Sequence, residues 1–125
     1  MNPIDLTRLR DFSDGTESGL RDLAALFVTH MEECLLAIRR GVAEQDADVI
    51  RTEAHRGAGT FGACGAQPLA ALLVDVERLG AAQKVGEVVA LVPGLAEEIA
   101  RVREFLEATL APAGTPDADP TKVER

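Results

Sequence analysis

The stretch LRDLAALFVTHMEECLLAIRRGV, residues 20–42, decides how the rest of the chain is read. Leu20, Leu23, Phe27, Met31, Cys34, Leu35, Ile38 and Val42 recur at steps of mostly three and four. With 3.6 residues per turn, that period gathers them into one stripe of a helix. SDGTESG just before it breaks any earlier element, and Thr16 or Ser18 can cap the new start with Glu17 beside the helix N-terminus. The spacing predicts a helix of roughly 28 residues, about 40 Å long, ending near Glu44.

The same period continues outward on both sides. Towards the N-terminus, IDLTRLRDF, residues 4–12, predicts a short helix with Ile4, Leu6, Leu9 and Phe12 as its apolar members. Towards the C-terminus, Asp46 and Asp48 are cap candidates for a second long helix striped by Ile50, Ala54, Ala58 and Phe61. Pro68 suits the first turn of a third, striped by Leu69, Leu72, Leu73, Val76 and Leu79, with Gly80 suited to the position just past its end. A last helical region runs from about Gln83 to Leu110 through Val85, Val88, Val89, Val92, Ile99, Val102, Leu106 and Leu110, and Pro93-Gly94 predicts a kink or break in it. No stretch alternates with a strand's period. The expected fold is all-α: an antiparallel up-down four-helix bundle over residues 1–110 with a short extra N-terminal helix. APAGTPDADPTKVER, residues 111–125, is expected to be a disordered tail.

Composition narrows the function classes. The 125 residues are 46% hydrophobic but include only four Phe and neither Trp nor Tyr, so the core is aliphatic. A net charge of −8 argues against a nucleic-acid partner, which needs Lys and Arg to displace counterions, and against anionic membranes. It suits a protein partner with a basic rim. The N-terminus lacks an apolar leader and no run is long enough to span a membrane, so a cytoplasmic location with two reduced cysteines is expected. His30 and Cys34 are spaced i, i+4, but no Cys-x-x-Cys or His-Glu-x-x-His pairing supports them, and no metal site is expected. No Ser-His-Asp or Cys-His arrangement is evident.

One segment departs from good helix chemistry. EAHRGAGTFGACG, residues 53–65, places four glycines within nine residues of chain after His55, although each glycine costs a helix roughly 1 kcal/mol relative to alanine. At 100° per residue with Ile50 at zero, the apolar stripe centres near ~30° and His55 falls near ~140°, on its shoulder. Arg51, Thr52, Gly59 and Gly62 share the histidine's strip. Bare positions one and two turns on would clear an approach to the ring, and Arg51 would help neutralise a dianion held there. Imidazole ordinarily titrates near ~6.5 and is mostly neutral and nucleophilic near neutral pH.

The segment AHRGAGTFGACGAQPLAALLVDVERLG, residues 54–80, resembles a histidine-containing phosphotransfer (Hpt) domain, a family that includes the N-terminal domain of chemotaxis kinases. Ala54-His55, Gly59, Gly65-Ala66, Leu69, Leu72 and Val76-Glu77 follow the family pattern without a gap, and the likeness extends over roughly residues 4–110. Ala58 stands where the family carries a lysine, leaving Arg51 and Arg56 as candidates for charge assistance. A second register would match Ala58–Gly62, AGTFG, to the same string in chemotaxis kinases. It needs a mid-helix deletion of about three residues, slipping the phase by about 60°, whereas the ungapped register also aligns the third helix. The resemblance implies His55 as phosphoacceptor, with Thr52, Gly59 and Gly62 under the docked partner. The partner is a response-regulator receiver domain, a histidine kinase or both, and a monomer is expected. The chain itself would need no cofactor, because the receiver brings Mg²⁺. An alternative is a helical module that binds a receiver or kinase without being phosphorylated.

Overall fold

The computed structural model describes residues 2–110. The expected C-terminal tail lies outside the described residues. Five helices and no strand are present among them: α1 (Leu6–Arg10), α2 (Glu17–Ala43), α3 (Ala47–Ala63), α4 (Gln67–Ala81) and α5 (Val85–Thr109). Each of α2 to α5 packs against its neighbours in chain order, and α5 closes back onto α2, with α3 and α4 in the most extensive contact. Three-residue connections make successive long helices antiparallel.

Local chemistry sets the ends. Thr16 caps α2 by accepting the Gly19 N–H at 2.8 Å, and Asp46 caps α3 by accepting from Val49 at 3.1 Å. All three connections end their helix in the same way. A residue with left-handed backbone follows the cap, at Gln45 (φ 55), Gly65 (φ 104) and Gln83 (φ 59). In each, the next N–H reaches back five residues: Asp46 to Gly41 at 2.8 Å, Ala66 to Phe61 at 2.9 Å, and Lys84 to Leu79 at 2.9 Å. This is the Schellman arrangement, which satisfies the last carbonyls while reversing the chain. Gly65 also has no room for a side chain, since a Cβ would meet the Asp5 carbonyl at 2.6 Å. The Asp5 N–H donates to the Gly65 carbonyl at 3.0 Å. That bond pins the N-terminal segment, with buried Ile4 and Leu9, to the α3–α4 turn.

The aliphatic core is as composition implied, with Phe27 and Phe61 meeting edge to face at 5.3 Å between centroids. Four expectations are corrected. Phe12 and Val89 are exposed, while Leu95, outside the sequence stripe, is buried. Of the kink or break expected at Pro93-Gly94, the break is absent, since α5 runs from Val85 to Thr109 with Pro93 inside it. The proline deprives one carbonyl, that of Val89, of its donor, but Val89, Pro93 and Gly94 are all exposed, so the loss falls on the solvent side of the helix. Gly80 does not end α4. It is buried inside the helix, where a Cβ would lie 3.0 Å from the Arg51 nitrogen and 3.2 Å from the Ala47 carbonyl oxygen of α3.

Candidate functional site at His55

The phase of α3 decides what His55 can reach. Its buried residues are Ile50, Ala54, Gly57 and Phe61. Their mean direction is near ~10° on the scale used above, which sets His55 about 130° from the core. Burial thus runs through Gly57 rather than Ala58, which is half-buried, and turns the histidine further outward than the sequence stripe implied. The His55 side chain is 73% exposed. Phe61 and Leu73 are sealed in the core and do not wall it in.

One partner holds the ring. Glu77 Oε2 of α4 lies 2.8 Å from His55 Nδ1. A carboxylate accepts, so the Nδ1–H donates, and the neutral ring then carries its lone pair on Nε2. The reach across helices depends on bare backbone either side of it. Gly80, one turn beyond Glu77, lies directly on α3, and at the other end a Cβ on Gly62 would come 3.2 Å from the Ala70 Cβ of α4. Both contacts draw α3 and α4 together, and a glutamate placed between them meets the histidine.

The helical bundle that carries this histidine agrees with the family comparison. The family model described as "Hpt domain" matches residues 22–108, which include the whole α3–α4 pair. The chain belongs to the Hpt domain family. No curated protein matches it significantly. Among solved structures it is similar to histidine-containing phosphotransfer protein B (HptB) from Pseudomonas aeruginosa PAO1, with a TM-score of 0.78 and 24% identity over 86% of this chain and 94% of that one. At that identity the likeness concerns the fold.

The other candidate residues of this Hpt domain take distinct places. Gly59 is open: a Cβ there would meet nothing within 4 Å. Thr52 is exposed on the same strip. Gly62 is half-buried and packs on α4, where a Cβ would lie 3.2 Å from the Ala70 Cβ. Gly57 is likewise a packing residue, with Cys34 Sγ and Leu73 Cδ1 both 3.0 Å from where its Cβ would stand. Of the four glycines after the histidine, Gly59 alone faces open space. Arg51 is bound to Asp48 at 3.2 Å. Arg56 pairs with Glu53 at 3.2 Å and lines a groove between α2 and α3 with His30, Glu33, Cys34 and Thr60. Glu77 lies on the opposite neighbour, α4, so the structure does not bring Arg56 to the ring face that meets this carboxylate.

Glu77 is the member of the site that periodicity missed. Its only trace in the sequence was the Val76-Glu77 pair inside the family pattern, since its distance from His55 depends on how closely two helices approach. The cysteines take no part. Burial pushes the Cys34 thiol up to about 12, aided by the Glu53 carboxylate, and burial also raises Cys64. No group of three or more potential metal ligands is gathered among the described residues, and no described helix is long and apolar enough to cross a membrane.

Proposed function

We propose that His55 is the phosphoacceptor of a two-component phosphorelay, taking a phosphoryl group from, or passing it to, a receiver aspartate. The observation that carries this reading is the exposed ring whose Nδ1–H is held by Glu77, which leaves Nε2 as the nucleophile. Family membership supports the same chemistry. Nε2 attacks the phosphorus of a receiver aspartyl phosphate, the Nε2–P bond forms, and the bond to the aspartate oxygen breaks with its electrons staying on the carboxylate. Positioning and charge stabilisation dominate phosphoryl transfer. Here the receiver and its Mg²⁺ supply most of the charge, and this domain supplies nucleophile, orientation and docking ground. Gly59 and Thr52 lie under the docked partner, Gly62 holds α4 in place beside them, and Arg51 is the one of the two candidate cations that shares the histidine's strip.

The test is incubation with a phosphorylated receiver domain. Label that is acid-labile and base-stable, and absent from His55→Gln, is expected. Receiver binding without any label would overturn the carrier reading and leave a regulatory helical module.

A further inference from the structure

The immediate surroundings of His55 are anionic. Glu77 contributes a carboxylate at 2.8 Å from Nδ1. The cations that the helix strips bring nearest are already engaged by carboxylates of their own turns: Arg51 by Asp48, Arg56 by Glu53, and Arg78, next to Glu77, by Asp75, at 3.1 to 3.2 Å. At position 59, where a cation one turn beyond the histidine would reach the ring, there is a glycine facing open space. A dianionic phosphoryl group on Nε2 would therefore meet one near carboxylate and no unengaged positive charge among these residues.

We propose that this arrangement makes phospho-His55 a discharge-biased carrier, in which Glu77 keeps the ring a good leaving group and no unengaged cation among these neighbours on α3 and α4 retains the phosphoryl group. The inference rests on the reading of His55 as phosphoacceptor. When Nε2 attacks, its lone pair forms the Nε2–P bond and the donor's bond to phosphorus breaks. Nδ1 keeps its proton, so the ring becomes cationic, and the Glu77 carboxylate stabilises that form through a charge-assisted hydrogen bond. On discharge the N–P electron pair returns to Nε2 and the ring departs as the neutral Nδ1–H tautomer it began as. No proton has to be gained or lost by the ring in either direction. Without the carboxylate, the phosphorylated ring would give up its Nδ1 proton more readily and would then have to leave as an imidazolate, a much poorer leaving group. Repulsion between the Glu77 carboxylate and the phosphoryl oxygens adds to the same bias, and an exposed site weakens it only by screening.

Phosphoramidate tests this without a partner protein, since its nitrogen leaves as ammonia. The full chain is loaded, the donor is removed by desalting, and the phosphohistidine ³¹P signal is followed over time across a range of pH. Glu77→Gln retains an acceptor for Nδ1–H but not the charge. Gly59→Lys adds a cation one turn from the ring at a position where a Cβ meets no atom within 4 Å, and leaves Glu77 in place, so it keeps the inference testable if Glu77→Gln takes up no label. Each variant is expected to hold its label roughly three- to tenfold longer than wild type, the scale of an exposed charge contact reinforced by a charge-assisted hydrogen bond. In Glu77→Gln the pH at which the phosphorylated ring loses its Nδ1 proton, read from the ³¹P shift, is expected to fall. Equal or shorter lifetimes in both variants would overturn the discharge bias while leaving His55 the acceptor. Equal labelling of His55→Gln would instead overturn the underlying assignment.

Discussion

Two glycines of α3, two residues apart, are expected to respond oppositely to the same change. Gly57 faces the core and Gly59 faces open space. Replacing either by alanine gains roughly 0.8–1 kcal/mol of helix propensity. At Gly59 nothing opposes that gain, because an added Cβ meets no atom within 4 Å. At Gly57 the Cβ would stand 3.0 Å from Cys34 Sγ, 3.0 Å from Leu73 Cδ1 and 3.1 Å from Phe61 Cε2. All three belong to buried side chains, and forcing extra volume into such a site costs about 1–3 kcal/mol. Gly59→Ala is thus expected to stabilise by about 1 kcal/mol, and Gly57→Ala to range from neutral to about 2 kcal/mol destabilising. Urea unfolding followed by far-UV circular dichroism measures both. The gap between the variants, about 1–3 kcal/mol, isolates the packing because propensity cancels. Gly59→Leu extends the comparison to function. It should keep the stability gain and the uptake of label from phosphoramidate, yet slow uptake from a phosphorylated receiver, which must bring a whole surface over the strip. Gly57→Ala and Gly59→Ala moving together, or Gly59→Leu reacting normally with a receiver, would refute the division of labour among these glycines.

Gln83 holds a left-handed backbone at φ 59, a conformation that costs a side-chain-bearing residue roughly 1–2 kcal/mol. Gln83→Gly is expected to raise the urea midpoint, by an amount corresponding to about 1 kcal/mol. The Cys34 thiol, pushed up to about 12 by burial, gives an alkaline prediction. Its ordinary value is 9.0, so above that pH the unfolded chain sheds a proton that the folded chain keeps, and stability falls as pH rises from 9 towards 12, by at most roughly 1.4 kcal/mol per pH unit. Unfolding midpoints taken from pH 8 to about 10.5 should fall more steeply for wild type than for Cys34→Ala.

The helices and their starts were legible because caps and stripes are local. Thr16 and Asp46 perform the capping that their identity and position implied. The exposed histidine was legible for the same reason, since it follows from the phase of one helix. What sequence reasoning lost was contact between helices. Gly80 looks like a helix stop from its place after Leu79, and only the approach of α4 onto the Ala47–Arg51 turn reveals it as a packing residue. Gly62 was read only as clearance for the ring, and its contact with Ala70 was not visible. Glu77 was invisible as a partner of His55 because those two glycine contacts, not any periodicity, set the distance across which it reaches.

The seating of α4 on α3 at Gly62 and again at Gly80 has a corollary for traffic through the relay. Two points of attachment seat the histidine and its carboxylate on one packed helix pair, so a phosphoryl group gained or lost at His55, as proposed, would alter one ring on a surface that this packing sets. A protein that delivers the group and one that collects it would then meet the same unaltered terrain, and neither could land until the other had gone. Queueing, rather than a change of shape, would set the order of visits.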